Sequence, residues 1–300
     1  MAKNHFHVRS TSMPSSPHPL ALKVEEQLQT LRAWEADHHH QTPETLCRAL
    51  NALSDLCHLV DALLQLPLAQ QSLFHHRHHR CADEALDGCL RMLDICLLIR
   101  ELLTEKKENA QDLQSALRRR ERHGLRKKLR FYFSSKKKMK KAIEKSLRES
   151  KKTEKHQIQH CRVSPHVFVH VLREVRLVAI SVLGSILSFV SSAPSRDKKT
   201  RSIASRCLFG RWMMGKQRVA CQGREVKMMN EGERVDAAVF ALLICGEKMI
   251  FRDENLGRVQ NAQMQLEGWE CSIESVKERL DCVFPCLIKM RVSLLNSFNH

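Results

Sequence analysis

The chain has 300 residues, 43% hydrophobic and only 5% aromatic, enough to fill one large helical core or two small ones. Ten Gly and eight Pro leave too little punctuation for an all-β fold, so the expected class is all-α: an antiparallel helical bundle with long coiled-coil-like helices. The net charge of +17 is concentrated, because Arg118 to Lys155 holds 18 Lys/Arg against four acids, a net +14 that leaves +3 for the remainder.

Residues 1–18 are polar, cluster Ser and Pro, and read as a disordered tail. Within it, Arg9 stands three residues before Ser12 and Pro14 two after it, with Ser10 between. That spacing matches the phosphoserine dock read by 14-3-3 proteins, since phosphate on Ser12 would bring roughly two negative charges to an Arg cluster. A helix is expected from Pro19 or Leu20 to about Ala36, with Leu20, Val24, Leu28 and Leu31 on one face. Past His38 to His40, Thr42 followed by Pro43 marks a helix start. This second helix carries Leu46, Leu50, Leu53, Cys57, Val60 and Leu64 and stops at Pro67. His58, between Asp55 and Asp61, reads as a surface residue rather than a base.

The run His75 to Cys81 (HHRHHRC) invites zinc. Adjacent side chains cannot all turn to one tetrahedral ion, and arginines repel it, so a polar inter-helix loop is expected, with no metal and no cofactor. A long third helix follows from Ala82 to Glu121. Its apolar stripe is Leu86, Cys89, Leu93, Cys96, Ile99, Leu103, Ala110, Leu113 and Leu117, while Glu105, Lys106, Lys107 and Glu108 make the later turns wet on most sides. The second and third helices are expected to pair as an antiparallel hairpin.

The basic belt, residues 122–160, has internal order. Leu125, Leu129, Tyr132, Met139, Ile143 and Leu147 recur at helical spacing, which suggests a basic amphipathic helix with a candidate break at Ser134-Ser135. Arg126, Lys127, Lys128, Arg130, Lys136, Lys137, Lys138, Lys140 and Lys141 are the candidate contacts for an anionic partner. A solvated face, an anionic membrane surface and a nuclear-import signal all fit this pattern. Sequence-specific nucleic-acid reading fits least, because no known DNA- or RNA-reading pattern frames the charge.

A strongly apolar helix is expected from Pro165 to Val190, and residues 177–195 contain no charge. Length alone satisfies a membrane span, but Ser181, Gly184, Ser185 and Ser188 dilute the run, favouring a buried core helix with the span as the alternative. Residues 196–234 read as a basic loop with one short helix near 208–214, and helix resumes over 235–249. Residues 258–297 carry a heptad seam of Val259, Leu266, Ile273, Leu280, Leu287 and Leu294, joined by Ala262, Trp269, Val276, Val283 and Met290. A 3-4 alternation of this kind winds one apolar stripe that must bury against other helices. Pro285 falls outside the stripe and should kink the helix rather than end it.

Of twelve cysteines, Cys47, Cys57, Cys89, Cys96 and Cys271 sit in apolar helical patterns, where Cys acts as a small hydrophobe. With no apolar leader in the opening residues, the expectation is a reduced cytosolic or nuclear interior, or the face of a membrane, and not secretion. The sequence holds no Gly-rich phosphate loop, nucleophile elbow or paired zinc histidines, so the chain reads as a non-enzyme.

Several segments in order resemble the plant-specific BYPASS-like family. They are His5 to Pro19 (HFHVRSTSMPSSPHP), Leu63 to Pro67 (LLQLP), Ala85 to Cys96 (ALDGCLRMLDIC), Leu113 to Arg120 (LQSALRRR) and Leu287 to Asn296 (LIKMRVSLLN). His75 to Arg80 and the 196–234 loop depart from it. The resemblance implies an all-helical plant protein acting in root and shoot development, where members restrain a mobile growth-arresting signal, and it implies no reaction. Together these features suggest one family-wide domain over about 5–299. Within it lie a helical hairpin region at 19–121, the belt, and a C-terminal helical region from 161. The expected activity is that of a helical adaptor or regulatory protein working through protein contacts, or of a membrane-associated protein held by its apolar helix or belt. Oligomeric state is left open by the sequence.

Overall fold

The computed structural model of the chain describes residues 18–36, 42–75, 80–160, 167–191, 229–246 and 249–299. Among these the helices are α1 (Pro19–Ala36), α2 (Pro43–Leu64), α3 (Pro67–His75), α4 (Arg80–Arg118), α5 (Leu125–His160), α6 (Val167–Ser191), α7 (Glu231–Cys245) and α8 (Leu256–Asn299), with a 3₁₀ turn at Asp253–Asn255 ahead of α8. No strand occurs among the described residues, and the fold is all-α.

Local chemistry sets several helix ends. Thr42 caps α2 by accepting the Thr45 backbone N–H at 3.3 Å, with Pro43 in the first turn, where its missing N–H costs nothing. Asn230 caps α7 reciprocally: the Glu233 N–H donates to Asn230 Oδ1 at 2.8 Å, and the Asn230 N–H donates to Glu233 Oε2 at 3.0 Å. At the end of α4 the Glu121 N–H donates to the Ala116 carbonyl and the Arg120 N–H to that of Leu117. This double closure puts Arg120 in the left-handed region at φ 48° and turns the chain into α5.

The spine is α8. Every residue of the heptad seam is buried, and Pro285 lies on its exposed side within a continuous helix. It packs chiefly against α4 and α2, then α7 and α3, while α6 packs on α4 and α2. Three contacts fix α8 antiparallel to α4: Arg100 to Asp281 at 3.1 Å, Lys107 to Glu274 at 2.7 Å and Gln111 to Glu270 at 2.5 Å. Another three set it parallel to α2: Ser54 to Cys286, Asp61 to Ser293 and the Leu64 carbonyl to Ser297. So α2 and α4 face each other diagonally across a four-helix core, and the expected α2–α4 hairpin gives way to one in which α8 and α6 fill the spaces between them. Across this core the Phe189 and Trp269 rings meet at 4.8 Å.

Helix α6 is long and apolar enough to cross a membrane. In the fold it instead buries Val175, Val178, Ala179, Val182, Leu183, Ile186, Leu187 and Val190 against the other helices. Two of its serines find partners within this packing: Ser181 Oγ donates to Glu35 at 2.6 Å, and Ser188 Oγ donates to the Gly184 carbonyl at 3.1 Å.

Other expectations need correction. Pro67 does not end structure; α2 ends at Leu64 and Pro67 opens α3, because a helix tolerates proline at its first position. Helix α7 begins at Glu231, ahead of the expected Val235, because the Asn230–Glu233 box starts it there. Helix α5 is continuous through Ser134-Ser135. Cys57, Cys89 and Cys96 are buried thiols, but Cys271 is exposed on α8. Residues 1–17 of the tail, the three-histidine run, His76 to His79 and the expected helix near 208–214 lie outside the described residues.

Candidate functional site

Helix α5 has two opposite faces, and its residue order alone produces them. At 100° per residue, Leu125, Leu129, Tyr132, Met139 and Ile143 share one side, and all are buried. Lys127, Arg130, Lys137, Lys138, Lys141, Lys145 and Arg148 share the other, and all are exposed. The stripe spans 22 residues, about 32 Å at the rise of an α-helix. Phe131, 57% exposed, stands within it. An aromatic ring left in water amid lysines is the least expected feature of this face.

The candidate belt residues therefore divide. Lys127, Arg130, Lys137, Lys138 and Lys141 lie on the stripe, and Arg126 and Lys140 are exposed at its sides. Lys128 and Lys136 turn inward. The Lys128 ammonium donates to Asp112 at 2.7 Å and lies 3.6 Å from Glu121, and the Asp112 hydrogen bond holds its pKa above the usual lysine value. Lys136 pairs with Asp236 of α7. Two of the nine cations thus pin α5 to the bundle, a use that charge counting does not reveal. Leu147 has no described side chain.

Beneath α5 lies a buried polar cluster. The Tyr132 hydroxyl donates to Asp236 Oδ1 at 3.1 Å, and the Ser135 hydroxyl donates to Glu105 at 2.5 Å while accepting from Asn109 at 3.0 Å. Those side-chain bonds hold Ser135 inward, while Ser134 faces water on the outer side of the continuous helix. Lys106 of α4, expected to be wet, is fully enclosed, and its ammonium has no hydrogen-bond partner among the described residues. It rests 6.0 Å from the Tyr132 ring centroid and 5.8 Å from that of Trp269, whose faces offset part of the lost hydration. Burial pulls Lys106 down to about 8, against the upward pull of Glu105. Burial and the neighbouring Lys106 and Lys140 also draw Lys136 downward, opposed by Glu233 and by the touching Asp236 carboxylate. Burial raises the Tyr132 phenol.

A second contact escaped sequence reading. His58 is exposed, as expected, but its Nε2 sits 3.2 Å from Cys286 Sγ, which also lies 3.4 Å from Ser54 Oγ. The two residues are 228 positions apart, so only the parallel α2–α8 packing brings them together. No third His, Cys, Asp or Glu completes a metal set there or elsewhere among the described residues. The phosphoserine dock of Arg9, Ser10, Ser12 and Pro14 lies outside the described residues.

A helical bundle built on one long heptad helix, with a basic amphipathic helix along its flank, defines the class: an all-α scaffold with an exposed cationic face. A family model described as Protein BPS1 matches residues 49–296, from within α2 to the last turn of α8. The chain belongs to this family, the BYPASS-like proteins that its segments resemble. No curated protein and no solved structure matches it.

Proposed function

We propose that this protein is a non-enzymatic helical adaptor in plant root and shoot development, engaging an anionic partner along the exposed face of α5. The carrying observation is that seven cations align opposite the buried stripe of α5, while the two that turn inward fasten the helix. Family membership supports the developmental setting. The cytosol or nucleus suits the free thiols, and a 14-3-3 protein at the tail fits as a second, phosphate-dependent contact.

The test replaces Lys127, Arg130, Lys137, Lys138 and Lys141 with Gln in plants lacking the protein. The wild-type chain should restore root and shoot growth, and the variant should accumulate folded yet fail. Full restoration by the variant would remove α5 as the working surface.

Phe131 favours a second reading, in which the partner is the anionic face of a membrane. Each basic residue near such a surface contributes about 1 kcal/mol, and an exposed aromatic adds interfacial anchoring. Here the chain should sediment with phosphatidylserine-containing vesicles, not with phosphatidylcholine alone, and Phe131→Ala should weaken that binding. Equal behaviour towards both vesicles would leave the protein-partner reading.

A further inference from the structure

The α4–α8 seam has an outer rim that changes character halfway along. At one end it is polar and cross-linked by Arg100–Asp281, Lys107–Glu274 and Gln111–Glu270. Across these contacts each seven-residue step back along α4 matches a seven-residue step forward along α8. Carrying the same register on sets Leu97 level with Phe284, Leu93 with Ile288, and Leu90 beside Val292. Every rim position there is apolar except Arg291, which is level with Leu90 and half-buried. Leu90, Leu97, Ile288 and Val292 are 41–49% exposed, and Leu93 and Phe284 are half-buried beside them.

Heptad spacing of 90, 93 and 97, facing 284, 288 and 292, is what a helix presents to another helix. In water such a continuous ridge is unfavourable, whereas single exposed leucines are ordinary. The buried core already lies on the inner side of both helices, so this ridge is additional to it. Its margins carry opposite charge: Asp87 and Asp94 are exposed on the α4 side, and Lys289 is exposed on the α8 side. Neither Asp94 nor Lys289 forms an ion pair among the described residues. A face acidic on one margin and basic on the other complements itself.

We propose that this face is the contact between two copies of the chain, related by a two-fold axis parallel to the helices. Such an axis lays α4 of each copy over α8 of the other, antiparallel, and makes a four-helix seam of two identical halves. Apolar ridge meets apolar ridge at the same level. Asp94 of one copy comes within a turn of Lys289 of the other, twice. The opposite two-fold, across the helices, would stack α4 on α4 and set acid against acid. The α5 stripe is not part of this contact, so the proposal is independent of the function above.

Sedimentation velocity of the full chain over a dilution series, up to roughly 100 µM, reads the proposal directly. The wild type should show a concentration-dependent dimer. Leu90→Glu with Ile288→Glu should shift it to monomer with helicity unchanged, both positions being already half in water. Asp94→Lys alone and Lys289→Asp alone should each weaken the dimer about tenfold or more. The double exchange should restore it, which no folding defect could mimic. A wild type that stays monomeric throughout would overturn the proposal and leave the ridge to a different protein. A dimer indifferent to these substitutions, or a double exchange that fails to restore, would overturn it equally.

Discussion

At the scale of single residues, Lys106 is the clearest case of a charge kept at a cost. Its ammonium is enclosed, has no hydrogen-bond partner among the described residues, and is drawn down to about 8 by burial. A lysine whose folded value is depressed binds fewer protons in the native state than in the unfolded one between that value and its ordinary 10.5. Its burden is therefore full below pH 8 and fades as the pH climbs above it. Replacing it with Met keeps the volume and removes the charge, so Lys106→Met should be the more stable protein by on the order of 2 kcal/mol at pH 7. In urea melts this advantage should shrink steadily from pH 8 to pH 10. An advantage independent of pH would mean the gain comes from packing alone. Comparing the two proteins at each pH matters, because the raised thiols of Cys57, Cys89 and Cys96 act oppositely: burial keeps them protonated while unfolded thiols ionise above about 9.

Among the elements, α8 should be the least forgiving. Leu280 and Leu287 are enclosed in the seam, and an ionised carboxylate at either site would have no partner. Leu280→Asp combined with Leu287→Asp should cost more than the roughly 5–15 kcal/mol that holds a typical domain, and circular dichroism should show loss of cooperative unfolding. A cooperative melt in the double variant would mean that α8 is not the spine. This seam was legible because eleven apolar residues repeat at 3-4 spacing, and the faces of α1 and α5 were legible for the same reason. The placement of Lys106 was not. Its neighbours Glu105, Lys107 and Glu108 make the segment read as wet, and only the aromatic rings arriving from α5 and α8 enclose it. Nor was α3, because proline signals both the end of one helix and the start of the next. The inward turn of Lys128 and Lys136 was hidden because their partners, Asp112 and Asp236, sit on other helices. Leu86 and Leu93 shared the apolar stripe of α4 by spacing, yet they lie at its rim. Periodicity tells which residues share a face but not how much of that face another helix covers.

For the molecule as a whole, the placement of α6 bears on membrane attachment. A helix that lines the core with α1, α2, α4 and α5 can enter lipid only by abandoning those contacts. In membrane fractions of cells expressing the chain, alkaline carbonate should release the protein into the supernatant, even if the basic stripe of α5 holds it at the surface. Retention in the pellet would mean that α6 leaves the bundle and spans the bilayer. The same bundle also has an order of assembly. Helix α8 is made after every helix it joins, so the inner faces of α2 and α4 must wait for it during synthesis. At about 5–20 residues per second, the interval between the start of α2 and the end of α8 is roughly 10–50 s. For that time the nascent chain carries two leucine-rich helices without their central partner, so ribosome-bound chaperones should occupy them until the last turns of α8 leave the exit tunnel.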